Sequence, residues 1–263
     1  MNESISILGS GWLGLPLAEY LALRGHLVKA STTSNSRLPE IASIQAEPFI
    51  VDIGILPINI QSFLKSNVLI INTPSKDIDG FSNLIKVIEK SEIEKVLFVS
   101  STSVYKNTNE TISESEGRES ISSPLLTIEN LFRKSRRLNS TIVRFGGLIG
   151  YSRNPGNFFR KGRVVHNPES NVNLIHRDDC IGIISKIIDE EVWGEVFNCC
   201  ADTHPTKREF YTQAANSLGN PAPEFAKSDD YSFKIVSNKK VKKFLYYEFS
   251  YPDLMKIKFD KSS

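Results

Sequence analysis

The sequence predicts an α/β fold, a doubly wound parallel sheet with helices on both faces, and three observations carry that expectation. Short apolar runs rich in β-branched residues recur from the amino terminus onward, stretches of helical length separate them, and a glycine-punctuated turn follows the first run. Strands buried on both faces read as continuous apolar segments, so their alternation with helices points to parallel pairing. The strands fall at Ser4 to Leu8, Leu27 to Ser31, Pro48 to Val51, Val68 to Asn72, Val96 to Ser100, Thr141 to Phe145 and Val196 to Cys199. Helices are predicted over Leu13 to Arg24, Ile58 to Lys65, Asp79 to Lys90, Pro124 to Leu138 and Asp178 to Asp189.

Two regions break the alternation. Residues 151–173 are rich in Gly, Pro, Asn and Arg, and the stretch from His204 onward carries a helix over Lys207 to Leu218, the turn Gly219-Asn220-Pro221 and a Lys-rich end. Each is too long for a plain loop in a compact domain. The predicted organisation is a sheet domain of residues 1–150 plus 174–203, with a small discontinuous substrate or lid domain built from 151–173 plus 204–263.

Composition narrows the partners. With 263 residues, 40% of them hydrophobic, the chain can bury a substantial core. Thirty-two Lys+Arg against 30 Asp+Glu leave a formal charge of +2, too even for an electrostatic nucleic-acid binder. The dense basic cluster at residues 133–137 falls in a predicted helix's last turn, where cations suit the helix dipole. Cys180, Cys199 and Cys200 lack zinc-site spacing, so buried reduced thiols and no metal are expected. No apolar stretch reaches the ~18 residues of a membrane span and no secretory leader pattern is visible, so the expected location is cytoplasmic, away from membranes.

Gly9, Gly11 and Gly14 stand at G-x-G-x-x-G spacing, after a β-branched strand and before a helix that ends at Gly25. That context makes the spacing a Rossmann-type dinucleotide fingerprint. Gly9 permits the tight turn, Gly11 leaves space for a pyrophosphate, and Gly14 lets helix and strand pack closely. Trp12 and Leu13 complete the turn, whose amides open the helix as N–H donors. A glycine turn that binds nothing is the bland alternative.

An Asp or Glu about 20 residues further on would hold the ribose 2′-hydroxyl of NAD. The chain has Ser31, Thr32, Thr33 and, beyond them, Arg37. Hydroxyls can donate to a 2′-phosphate and Arg37 can neutralise it, which favours NADP and leaves NAD open. Asp52 is placed to accept from the adenine amino group or to cap a short turn. Thr73 and Pro74 line the floor beneath the cofactor, and Ser100 closes the fifth strand on the same side.

Residues 96–105 form a buried strand emptying into the hydroxyl-rich turn Ser100-Ser101-Thr102-Ser103-Val104-Tyr105. With the glycine turn, residues 143–150, 173–179 and 236–240, and Tyr251-Pro252-Asp253, the chain resembles the extended short-chain dehydrogenase/reductase family, the NAD(P)-dependent epimerase/dehydratase group. The resemblance implies oxidoreductase or epimerase/dehydratase-like chemistry on a small hydroxyl- or carbonyl-bearing metabolite, nucleotide sugars included. It also implies a homodimer through the helices at Asp79 to Lys90 and Pro124 to Leu138.

In that family the hydroxyl aligned with Ser101 grips the substrate oxygen, and a Tyr beside a Lys four residues on moves the proton. Aligned on Glu129, those positions are Ile121 and Leu125, which cannot exchange a proton. Substitute acids are His176, at the end of a strand with a pKa near neutrality, and Tyr105, for which packing under the loop is the alternative. Glu114 and Glu116 are loop carboxylates that solvation explains equally well. Ser103, Arg144 and Arg153 are the substrate-binding candidates, the arginines suited to sugar-nucleotide phosphates. Loss of the Tyr and Lys leaves a second reading open, a non-catalytic NAD(P)-binding sensor or scaffold.

Overall fold

The computed structural model describes residues 3–159, 162–227 and 232–259. Its frame is a seven-stranded parallel sheet made of β1 (Ser4–Leu8), β2 (Leu27–Thr32), β3 (Glu47–Ile50), β4 (Val68–Ile71), β5 (Lys95–Ser101), β7 (Asn139–Phe145) and β11 (Val196–Cys199). The spatial order is β3-β2-β1-β4-β5-β7-β11, so the direction of winding reverses between β1 and β4. Ile5 pairs with Val28 on one side and Val68 on the other, and this apolar register leaves the strands' carboxyl ends open for ligands at the reversal. The Rossmann-type doubly wound sheet expected from the sequence is therefore present.

Helices α1 (Gly14–Leu23), α2 (Leu38–Ser43), α3 (Ile60–Phe63), α4 (Ile78–Ile88), α5 (Pro124–Lys134) and α6 (Arg177–Asp189) connect these strands. The core between α4, α5 and the sheet holds Phe81, Phe98 and Phe132, with Phe98 and Phe132 stacked at 5.2 Å and Phe81 edge-on to Phe98 at 5.8 Å. Aromatic pairs in these geometries gain beyond simple area burial. Two helices end earlier than periodicity suggests. The helix predicted over Ile58 to Lys65 is a single turn, and α5 stops at Lys134 because Ser135 is extended. Arg137 then leaves the helix and donates to the Ser91 carbonyl at 2.6 Å.

The chain divides into two compact units. One comprises Met1–Ser100, Ser120–Val143 and Ile181–Val196; the other comprises Ser101–Glu119, Arg144–Cys180 and Phe197–Ser263. The hydroxyl-rich turn from Ser101 and the polar loop after it thus group with the second unit, whereas the sequence predicts them within the sheet domain of residues 1–150. The second unit contains three short parallel pairs: β6 (Thr111–Ile112) with β13 (Ile235–Val236), β8 (Gly147–Ile149) with β10 (Leu174–His176), and β9 (Val164–Val165) with β12 (Glu224–Phe225). It also holds α7 (Lys207–Ser217), opened by a Thr206/Glu209 capping box, and α8 (Lys239–Leu245). Asp178 and Asp179 lie inside the first turn of α6. The buried Asp179 carboxylate accepts the N–H groups of Ser250 at 2.7 Å and Tyr251 at 3.1 Å, and the Tyr247 hydroxyl at 3.1 Å, so it ties down the end of the chain. No helix of the described residues is long and apolar enough to cross a membrane.

Candidate functional site

In the first unit the glycine turn is built by close approach. Gly9 has φ +99°, and a Cβ there would lie 2.5 Å from the Asn72 carbonyl oxygen; a Cβ on Gly14 would lie 2.0 Å from the Gly9 carbonyl oxygen. Around Gly11 nothing lies within 4 Å of the same construction. Two neighbouring strands fix the turn. Gly9 N–H donates to Ser31 Oγ at 3.1 Å, Asn72 Nδ2 donates to the Gly9 carbonyl at 3.2 Å, and Ser10 donates from both N and Oγ to the Ser31 carbonyl at 2.8 Å.

A cleft of about 310 Å³ opens at this point. The turn Gly9 to Gly11 forms one wall; Ser31, Thr32, Thr33 and Arg37 follow β2, Val51 to Ile53 follow β3, and Asn72 to Ser75 follow β4. Thr33 is exposed, whereas Ser31 and Thr32 are buried and their hydroxyls accept backbone N–H groups of Gly9 and Ser34. Arg37 is half-buried and pairs with Glu40. Asp52 is exposed at the cleft wall and accepts the Gly54 N–H at 2.9 Å. Thr73 accepts the Ser75 N–H at 3.4 Å beside Pro74. Trp12 and Leu13 do not line this cleft, and the Leu13 side chain is in the core. Ser100 is buried and donates its hydroxyl to the buried Glu129 carboxylate.

In the second unit the candidate side chains bond mainly to one another. Ser101 Oγ accepts the Ser103 N–H at 3.1 Å and caps the short 3-10 turn Thr102–Val104; Ser101 is half-buried and Ser103 exposed. Tyr105 is buried, its hydroxyl accepting from Arg144 Nη1 at 2.6 Å and donating to Asn198 Oδ1 at 2.9 Å. Burial pushes its pKa up to about 12. Arg144, 1% exposed, also donates to Glu119 at 2.7 Å. Glu114 accepts the Asn198 N–H at 2.7 Å, and burial raises its pKa above the ordinary carboxylate range. Glu116 accepts the Ser113 hydroxyl at 2.6 Å. Lys234 Nζ donates to the Tyr105 carbonyl at 2.6 Å, and burial lowers its pKa.

His176 is buried with Tyr251 at 3.8 Å and Tyr151 at 5.6 Å between ring centroids. Its Nδ1 accepts the Asp178 N–H at 3.3 Å, and burial lowers its pKa while the Asp178 carboxylate pulls the other way. Arg153 is exposed and exchanges backbone hydrogen bonds with Gly150. In the first unit Ile121 is 89% exposed ahead of α5, and Leu125 packs against the core from the helix's first turn. The three cysteines are buried thiols whose pKa values burial raises.

Beside Thr73 and Pro74, no local pattern marks the Asn72 side chain that grips Gly9, a contact 63 residues apart in the chain. Glu40 is a second residue that sequence reasoning misses, although the Arg37-x-x-Glu40 spacing at a helix start is an available signal.

A seven-stranded parallel sheet with a glycine turn at its switch point defines a Rossmann-type, doubly wound fold. No family model matches the chain. Protein YeeZ of two Escherichia coli strains is 31% identical over 270 residues, covering 95% of this chain and 97% of its own. Among solved structures, a UDP-glucuronic acid 4-epimerase variant from Bacillus cereus, in complex with a fluorinated UDP-sugar and NAD, aligns with TM-score 0.79 at 17% identity over 96% of both chains. A human epimerase family protein with NADPH aligns with TM-score 0.71 at 15% identity, again over 96% of both. A short-chain dehydrogenase/reductase superfamily protein from Agrobacterium tumefaciens with bound NAD aligns with TM-score 0.74 at 16% identity, over 94% of this chain and 92% of its own. The chain belongs to the same family as Protein YeeZ, and it shares its fold with the epimerase and short-chain dehydrogenase/reductase structures above.

Proposed function

We propose that the chain is an NAD(P)-dependent oxidoreductase or epimerase-like enzyme whose coenzyme diphosphate sits on the glycine turn, with NADP favoured and NAD also accepted. One observation carries this reading: the Gly9 and Ser10 amides are used inside the fold, the Gly11 position is open, and the cleft beside it is lined by Thr33 and Arg37 with no acid at the end of β2. The NADPH and NAD bound by structural neighbours support a nicotinamide coenzyme. When bound, that coenzyme supplies hydride transfer. The residues' part is to hold and orient: Gly11 and the opening of α1 for the diphosphate, Asp52 for the adenine, Thr33 and Arg37 for the ribose end. Ser101 takes the substrate oxygen. Ser103 and Arg153, both exposed, are the remaining contacts proposed for a small hydroxyl or carbonyl metabolite, with nucleotide sugars the first class to test.

A specific observation favours the second reading, a coenzyme-binding sensor without turnover. Tyr105 and His176 are both buried, the first held by Arg144 and Asn198 and the second packed against Tyr251, which works against either serving as the acid. Titration of the purified protein with NADPH and NADH, followed by nicotinamide fluorescence, tests binding; a panel of carbonyl compounds and UDP-sugars then tests turnover. Saturable binding with oxidation that Ser101→Ala lowers supports the enzyme. Saturable binding with no oxidation across the panel supports the sensor, and no binding of either coenzyme rejects both.

A further inference from the structure

Among the residues lining the coenzyme cleft, Arg37 carries the only positive charge and Asp52 the only negative one. That guanidinium is already engaged: Nε lies 2.9 Å and Nη2 2.8 Å from one carboxylate oxygen of Glu40, which stands three residues on in α2 and does not itself line the cleft. We propose that Glu40 is a specificity-determining residue, which by holding and neutralising Arg37 sets how strongly the cleft prefers a coenzyme with a 2′-phosphate over one with a 2′-hydroxyl. The proposal rests on the coenzyme reading above and concerns the choice between the two coenzymes, not whether either binds.

The physics is a competition for one cation. A 2′-phosphate reaching Arg37 meets a guanidinium whose field is largely cancelled by a carboxylate under 3 Å from it, and the same carboxylate repels the phosphate directly at a range well inside the ~8 Å screening length of physiological salt. A 2′-hydroxyl is uncharged and feels neither effect strongly. The Arg37 and Glu40 side chains are 36% and 49% exposed, so the pair is weak and open to exchange. Arginine has five N–H donors, of which this carboxylate takes two, so the guanidinium can also bind a phosphate on its remaining edge while Glu40 stays in place. In both cases the Glu40 charge opposes discrimination in favour of the phosphorylated coenzyme.

An ordinary role exists for the same contact, since an (i, i+3) ion pair also steadies a helix start. Coenzyme selectivity separates the two roles, because a purely local stabiliser changes the melting temperature and leaves the ratio of affinities alone. The experiment measures Kd for NADPH and NADH with the unaltered protein, Glu40→Gln, Arg37→Met and the double variant, at low and at physiological ionic strength. Glu40→Gln tightens NADPH by about 2- to 5-fold, the size of one exposed ion pair, with NADH unchanged within error, and the gain shrinks as salt rises. In the Arg37→Met background the Glu40 substitution has no selective effect. An unchanged NADPH-to-NADH ratio in Glu40→Gln, alongside a selective NADPH loss in Arg37→Met, overturns the Glu40 assignment while leaving the coenzyme site standing. A selective effect of Glu40→Gln that persists without Arg37 overturns it as well. Failure of the unaltered protein to bind either coenzyme overturns the coenzyme reading and this one with it.

Discussion

The glycine turn of the first unit and the polar network of the second are both built by hydrogen bonds between distant parts of the chain, yet they end in opposite conditions. At the turn, Ser31 and Asn72 hold Gly9 in place and leave open space beside Gly11. In the network, the Arg144 guanidinium joins the Tyr105 hydroxyl to the Glu119 carboxylate, with Tyr105 and Arg144 buried and Glu119 half-buried. Supporting bonds that stop short of the ligand position make a binding site, whereas bonds that use up the reactive atoms make a scaffold.

The comparison breaks most sharply at Arg144. Replacing it with Met leaves Glu119 and the Tyr105 hydroxyl without their buried partner, and truncating one side of a buried ion pair costs about 3–5 kcal/mol. Denaturant unfolding of Arg144→Met should show that loss, with coenzyme affinity per folded molecule unchanged. A stability change under about 1 kcal/mol would mean the network is solvated and available for chemistry.

Gly11→Leu is the converse case. Nothing lies within 4 Å of a Cβ at this position, so the leucine projects into the space proposed for the coenzyme diphosphate. The expected result is at least about a 100-fold weaker Kd for either coenzyme, equivalent to about 2.7 kcal/mol, with Gly11→Ala as the milder variant whose single Cβ meets nothing in the fold. Retained affinity would move the diphosphate elsewhere.

The smallest effect concerns pH. Burial holds the His176 and His204 pKa values below their unfolded value near 6.5. Below that pH the unfolded chain binds protons the folded chain refuses, so stability is complete above about pH 6.5 and falls as pH drops, by at most about 1.4 kcal/mol per pH unit for each proton. His176→Gln should flatten the slope of unfolding free energy against pH between about 6.5 and 5, with the rest remaining from His204. An unaltered slope would show that His176 protonates freely in the fold and is accessible as an acid.

The sequence made the first region legible and the second opaque for a physical reason. Gly9, Gly11 and Gly14 act through local backbone geometry, so their spacing within six residues is itself the signal. The sheet was readable for a similar reason, since Val68 to Ile71 is buried on both faces and contains nothing polar. Tyr105 and Arg144 are defined by partners 25 to 93 residues away, and no local pattern distinguishes a tyrosine that faces a substrate from one tied to Asn198. Ser31 carried the right residue type for a ribose contact, but its hydroxyl accepts from Gly9, a bond 22 residues apart in sequence. Helix ends failed where a single residue decides, as at Ser135, whose extended backbone ends α5 four residues before the predicted Leu138.

The Asp179 clamp has a consequence for biosynthesis. Its carboxylate waits for the N–H groups of Ser250 and Tyr251, and the β6 strand at Thr111 waits for Ile235, 124 residues later. Once residues up to about 100 have emerged from the ribosome, the β1, β2 and β4 strands can pair at once, while the second unit stays unlatched until residues 235–251 follow. Such distant pairing slows folding, because loop closure has to be achieved before the contacts can reward it.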